Sequence, residues 1–364
     1  MSTWPTEIEL LRALVATPSI SGDETQVAEL VEHQAGAWGL PVVRDHTGVK
    51  ILIEGASSGE TLALVSHLDV VPPGTGWTRD PFEPHMEDGK LFGRGSGDAK
   101  ASVAAMLTAA LDIAADVSRI HGRLVVILGY SEETRNTSMP FAISTVGAID
   151  AAVIGEPTNL DFAIAQRGLM MIDLVARGDQ RHAAYAAEGT NAPNAVELLA
   201  ADLTRLKDIA RHRPHPLLGH PSIAPTMLES GVSRNVIPSL AKAVLDVRST
   251  PAWSHEELAG ELREHLSSEV VVTSDRLVPC QTPEGSRLLA AASRIRPHGR
   301  HYGSPTCSDW VFLRDRDAFK CGPGTSRRSH TADEFVDLAE VTEARVFYRE
   351  LALSYLGVTR ARDA

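Results

Sequence analysis

Cysteine is scarce in this chain: Cys280, Cys307 and Cys321 are the only three among 364 residues. They are odd in number and lack zinc-ribbon spacing, which argues against a disulfide framework and a thiolate zinc site. A reduced, cytoplasmic setting is the simple expectation. Basic charge is in deficit as well. With a formal net charge of −12, the chain does not offer the basic face of a nucleic-acid binder. Long apolar runs are missing too: the most apolar helical stretch, Ala101 to Ala115, is alanine-rich and carries Asp112, far short of a membrane span. The opening residues, Met1-Ser-Thr-Trp-Pro-Thr-Glu-Ile-Glu9, show no basic segment followed by an apolar one, so no signal peptide is expected.

What is present is an ordinary globular composition, 43% hydrophobic and 23% charged, in a chain long enough for two domains. Its organising stretch is Leu62-Ala-Leu-Val-Ser-His67-Leu-Asp69-Val-Val-Pro72. Leu62 to Ser66 reads as a buried strand, and residues two apart on a strand leave the same face. His67 and Asp69 therefore emerge together, a spacing that suits an imidazole ligand beside a carboxylate. Alone, such a pair is a weak signal.

The rest of the chain keeps supplying acids at the ends of similar strands. Two helices, Glu7 to Val15 and about Asp23 to Gly39, lead into strands at Val42 to Asp45, Val49 to Glu54 and Thr61 to Ser66. A loop from Pro72 to Glu87 precedes Gly93-Arg-Gly-Ser-Gly-Asp98-Ala-Lys100, which fits neither the P-loop nor the dinucleotide pattern. Its glycines let the backbone come close while Asp98 points into a pocket. The apolar run in Arg123 to Gly129, as expected of a strand covered on both faces, runs into Ser131-Glu132-Glu133-Thr134. Ala151 to Ile154 ends at Gly155-Glu156-Pro157-Thr158. Open α/β sheets place ligands at these carboxyl ends.

After about Gln166 the pattern changes to longer, alternating strands (Leu169 to Arg177, Met227 to Glu229, Ala241 to Thr250, Glu269 to Thr273) separated by helices at Ala192 to about Ala210 and Ser254 to Leu266. The order β-α-β-β-α-β predicts a ferredoxin-like α+β domain inserted into an α/β domain. His212, His215 and His220 lie among prolines and read as a surface loop. From about Gln281 the α/β pattern resumes, with a helix from Glu284 to Arg294, the segment Ser329-His330-Thr-Ala-Asp-Glu334, and a last helix from Leu338 to Leu356. The expected boundaries are 1–165 and 281–364 for the two parts of the catalytic domain, and 166–280 for the insert.

Two histidines and several carboxylates without thiolates suit zinc, cobalt or manganese with open positions. The surplus of acids favours two ions sharing a bridging carboxylate. One acid must then stay off the metals to take a proton from water and pass it to a leaving amine.

Taken in order, His67-Leu-Asp69-Val-Val-Pro72, Gly93 to Lys100, Glu132-Glu133, Gly155 to Thr158 and Ser329 to Glu334 resemble the zinc-dependent amidohydrolases and peptidases that include acetylornithine deacetylase, succinyl-diaminopimelate desuccinylase, aminoacylase and the glutamate carboxypeptidases. The resemblance covers nearly the whole chain. It implies a mixed-sheet zinc-peptidase domain and an inserted lid, often the site of homodimerisation. It also implies His67 and Glu156 on one metal, Glu133 and His330 on the other, and Asp98 between them. Asp69 would orient the His67 ring, and Glu132 would be the general base and later acid.

In the lid, His182 matches a histidine that stabilises the oxyanion, although Arg181 before it and Ala186 after it depart from the family pattern. Without the resemblance, His182 reads as polar surface. Asn235 and Arg248 resemble positions that meet a substrate carboxylate, for which an arginine fork is suited; the alternative for Arg248 is an ion pair with Asp246 on the same strand face. The implied activity is removal of an acyl group, acetyl first, from an N-acyl amino acid in arginine or lysine biosynthesis, closest to acetylornithine deacetylase. A desuccinylase, with Arg327 and Arg328 meeting a second carboxylate, is the alternative. A dipeptidase or carboxypeptidase comes next, and a non-catalytic metal-binding homologue is the reading from another class.

Overall fold

The computed structural model of the chain describes residues 6–186 and 193–357. Met1–Pro5, read above for a leader, and Ala192, the expected start of a helix, lie outside them. The chain divides into two compact units. One is built from the chain up to Ile164, Thr282–Tyr302 and the chain from Ser308 onward; the other comprises Ala165–Gln281 and Gly303–Cys307.

A mixed sheet forms the middle of the first unit, in the order Val42–Asp45, Gly48–Glu54, Arg123–Gly129, Thr61–His67, Ala151–Ile154, Asp317–Lys320 and Phe162–Gln166. The four strands from Arg123–Gly129 to Asp317–Lys320 run parallel to one another. All seven residues of Thr61–His67 are buried, which is why this segment reads as a run of apolar and small side chains rather than an alternation. Register then does the positioning. His67 pairs with Gly129, and Val65 with Ile154. Three strands therefore end along one edge, and Glu132, Glu133 and Glu156 all follow just beyond it.

The helix Lys100–Ala114 starts two residues after Asp98 and is buried continuously from Lys100 to Ala110. Its small side chains let it pack closely against both Thr6–Ala16 and Leu338–Leu356. The loop expected from Pro72 to Glu87 ends in a short strand instead: His85–Glu87 and Lys90–Phe92 form a hairpin joined by Phe335–Asp337. Asp88 and Gly89 at its tip both have positive φ, 49° and 73°, the requirement of the tight Asp-Gly turn. Strands of three residues are too short to show in an alternation pattern.

The second unit is a four-stranded antiparallel sheet, ordered Ser222–Ser230, Leu240–Arg248, Leu169–Arg177, Glu269–Leu277. Met170, Ile172, Leu174, Ala241, Ala243 and Leu245 face a core shared with the helices Ala195–Arg205 and His255–His265. This is the ferredoxin-like arrangement. Ser254 and Glu257 close a reciprocal capping box at the start of the second helix. His215 corrects the surface-loop expectation: it is buried, its Nε2 lies 2.8 Å from Gln281 Oε1, and its Nδ1 accepts the N–H groups of Leu217 and Leu218. The prolines around it mark a turn, but the turn is pinned inward.

Candidate metal centre

His67 ends its strand only 1% exposed, and its two ring nitrogens have different surroundings. Nδ1 lies 3.0 Å from the backbone carbonyl oxygen of Asp69. A carbonyl can only accept, so Nδ1 carries a proton, and Nε2 is the nitrogen left to serve as a ligand. That Nε2 is buried and has no hydrogen-bond partner; Asp98 Oδ1 is 3.3 Å away but not aligned as an acceptor. A buried, unpartnered ring nitrogen facing carboxylates is what a metal ligand looks like before the metal is considered.

Asp98 sits between the two histidines, 3.3 Å from His67 and 3.9 Å from His330 Nε2. Glu133 lies 2.9 Å from the same His330 nitrogen. Among the described residues, His67, Asp98 and Glu133 each offer a ligand atom, all within 4.8 Å of one another. Glu156, expected beside His67, lies outside that group of three. His330 joins the group through Glu133 and Asp98, and its ring is half exposed. The donor set of imidazole and carboxylate fits a hard-to-borderline divalent ion, and the open side at His330 fits an accessible one.

The electrostatics point the same way. Burial drives the Glu156 carboxyl up to about 8, helped by Asp98 and Glu133 against the pull of His67 and Lys320. Burial, with Glu156, Asp309 and Glu133 nearby, holds Glu132 well above the usual carboxylate range, although His67 pulls it down. Burial would lower His67, but Asp69, Asp98 and Glu132 raise it well above the ordinary imidazole value. Crowded acids that resist losing their protons, beside imidazoles that resist losing theirs, describe a cavity short of positive charge.

Asp69 has a larger part than the sequence suggested. Its carbonyl, rather than its carboxylate, makes the short contact to His67, while the carboxylate oxygen stands 3.5 Å from the ring. The carboxylate accepts the Ser21 hydroxyl at 2.6 Å and the backbone N–H groups of Glu132 and Glu133. Glu24 anchors the same turn, accepting the N–H and O–H of Ser131 at 3.0 and 3.1 Å. Glu334 accepts three N–H groups from the loop that carries Asp98. Sequence reasoning assigned no role to Ser21, Glu24 or Glu334. Only the position of Glu334, four residues after His330, hinted at one.

The three lid candidates lie in the second unit. His182 is exposed, and its Nδ1 accepts the N–H of Ala184. Its strand pairs with Val236–Ile237, and the next residue, Ala183, donates its N–H to the carbonyl of Asn235. The structure thus brings His182 and Asn235 together. Arg248 forms a two-pronged bond with Asp246, at 2.7 and 3.0 Å, the ion pair weighed above as its alternative.

Residues 63–354 match the model of peptidase family M20/M25/M40, and the chain belongs to that family. The succinyl-diaminopimelate desuccinylase of Xanthomonas campestris pv. campestris (strain B100) is 28% identical over 375 residues, covering 94% of this chain and 97% of the relative. Among solved structures, an aminopeptidase of Bacillus cereus superposes with a TM-score of 0.79 at 17% identity, covering 96% of this chain and 98% of that one. A Bacillus subtilis protein described as a dinuclear metal-binding peptidase of family M20 gives 0.72 at 17% identity, covering 96% and 97%. The mixed α/β architecture is that of M20 metallopeptidases, and the chain is a hydrolase of the family that acts on amide and peptide bonds. No helix among the described residues is long and apolar enough to cross a membrane.

Proposed function

We propose that the protein hydrolyses the amide bond of an N-acyl amino acid with two divalent ions held by His67, Asp98, Glu133, Glu156 and His330. The observation that carries this reading is the buried, unpartnered Nε2 of His67 facing Asp98, with Glu133 and His330 completing the ring of ligand atoms. When bound, such ions would polarise the scissile carbonyl and acidify a water molecule.

The chain's own residues supply the proton chemistry. Glu132 takes a proton from water as the new C–O bond forms and returns it to the amide nitrogen as the C–N bond breaks. The products are the amine and a carboxylic acid, whose remaining proton passes to the amine or to solvent. Burial and neighbouring acids make Glu132 hold a proton more tightly than an ordinary carboxylate, so once ionised it is the stronger acceptor. His182 is the proposed donor to the oxyanion, and Arg248 and Asn235 the readers of the substrate α-carboxylate.

Acetyl removal, as in acetylornithine deacetylation, is one substrate reading. A succinyl substrate is the second, favoured by the full-length likeness to the desuccinylase. It needs a cation for the extra carboxylate. Arg328 is already engaged with Asp337 at 3.3 Å and with the Phe335 ring at 3.8 Å, whereas Arg327 is exposed, so Arg327 is the better candidate.

The test is amine release by metal-stripped protein, with and without added zinc or cobalt, on acetylornithine, acetylcitrulline, acetyllysine, succinyl-diaminopimelate and several dipeptides. Metal-dependent release from an acyl amino acid supports the proposal and selects between acetyl and succinyl. Release from dipeptides alone would replace the substrate class. Metal binding without turnover on any substrate would favour a non-catalytic role.

A further inference from the structure

We propose that Glu334 is a positioning residue for the metal centre: its carboxylate organises the Gly93–Asp98 loop so that Asp98 is presented in ligand geometry before any metal arrives. The inference rests on the metal-centre reading above and assigns a role to a residue that binds no ion itself.

Glu334 is 1% exposed. Its Oε1 accepts the N–H groups of Gly97 and Asp98 at 2.9 and 3.1 Å. Its Oε2 accepts the N–H of Gly95 at 3.2 Å and Nη1 of the equally buried Arg94 at 2.6 Å. Its backbone carbonyl accepts the N–H of Gly93 at 2.9 Å. Five donors from one short loop thus converge on a single residue. The loop cannot simply be rebuilt with other side chains. At Gly93 and Gly95, φ is +151° and +80°, and a Cβ would come within 2.4 Å of Val15 and Val70 respectively.

The partner and the chain neighbour of Glu334 tie in the segment from Pro73 to Thr78. Arg94 also donates to the Pro73 carbonyl at 3.2 Å and faces the Trp77 ring at 5.2 Å. Asp333, beside Glu334, accepts both the N–H and the O–H of Thr78 at 3.0 Å. His330 lies four residues upstream on this segment. One buried carboxylate therefore fixes the backbone of Asp98 from the chain segment that also carries His330. An ion pair serving stability alone would need only Arg94. Here the acceptor capacity is directed at the amides that flank and include a ligand residue, and the consequence belongs to metal affinity.

The experiment uses full-length protein stripped of metal. Cobalt titrations followed by competition and by the visible ligand-field spectrum compare wild type, Glu334→Gln and Arg345→Gln. Arg345 pairs with Glu7 and Asp112 in the same unit and serves as a destabilised control. Glu334→Gln is expected to weaken cobalt binding at one site or both by about 10–100-fold and to change the spectrum. Arg345→Gln is expected to lower Tm while titrating like wild type. A folded Glu334→Gln protein with wild-type affinity and spectrum overturns the proposal.

Since removing one partner of a buried pair can prevent folding, amide exchange on metal-free wild type provides a second test. The N–H groups of Gly95, Gly97 and Asp98 are expected to be protected before metal is added. Exchange at solvent rates until metal binds would overturn preorganisation. If wild type binds no divalent ion at all, the metal-centre reading itself falls, an outcome separate from a loss confined to Glu334→Gln.

Discussion

The carboxylate of Asp69 accepts the backbone N–H of Glu132 at 2.9 Å and, through its other oxygen, that of Glu133 at 3.1 Å. The residue whose carbonyl sets the His67 tautomer therefore also holds the turn that bears the proposed base and one proposed ligand. Asp69→Asn would turn an NH2 group toward an N–H donor and disturb both. Zinc affinity is expected to drop about 10–100-fold, measured by competition with a chromogenic chelator. Unchanged affinity would reduce Asp69 to a buried structural acid.

The role proposed for Glu132 separates proton transfer from metal holding. Glu132→Gln is expected to lower kcat by about 10²–10⁴-fold or more, with metal content by mass spectrometry near wild type. A Gln variant that loses its metal would place Glu132 among the ligands.

The acid cluster gives the metal-free protein a distinctive pH dependence. The folded chain retains a proton on Glu156 up to about 8, against an ordinary value of 4.5. This contribution to stability is complete below 4.5 and is lost as pH rises through about 8. Glu132 and Glu133, also raised chiefly by burial, act in the same direction. Asp69 and Asp98 are held low despite burial, through His67, so their opposite effect is confined to more acidic solution. The Tm of the metal-free protein is expected to fall between pH 4.5 and about 8. Zinc should restore it and release protons, which calorimetry in buffers of different ionisation enthalpy detects. A flat Tm across this range would contradict the assignment.

Arg248 must exchange its Asp246 partner for a substrate carboxylate if it is a reader. Arg248→Ala is expected to raise KM for N-acyl α-carboxylates well above its effect on the matching α-amides. An equal effect on both series would leave Arg248 as the ion-pair partner of Asp246 and nothing more.

Much of this was legible in the sequence because it is written locally. The apolar run from Arg123 to Gly129 announced a doubly covered strand, and the structure has that strand with the same bounds. The β-α-β-β-α-β order likewise announced the ferredoxin-like unit. What could not be read were side chains acting on distant backbone. Ser21 reaches Asp69 across 48 positions, Glu24 reaches Ser131 across 107, and Glu334 reaches Gly95 across 239. Such bonds leave no period and no motif, since any loop serine or glutamate looks the same until the fold brings a bare N–H to it. His215 was misread for a related reason: its turn chemistry was visible, but the Gln281 that buries it was not.

The strand Asp317–Lys320 lies between Ala151–Ile154 and Phe162–Gln166, although it is made long after both. A chain emerging from the ribosome thus has to hold a gap in its central sheet while the entire insert is synthesised. Domains generally fold as units during synthesis, and this one cannot close its sheet until residue 320 has been released. His330 and Glu334 arrive later still. Of the five proposed ligands only His330 is then still to be made, so the set is completed only as synthesis nears its end.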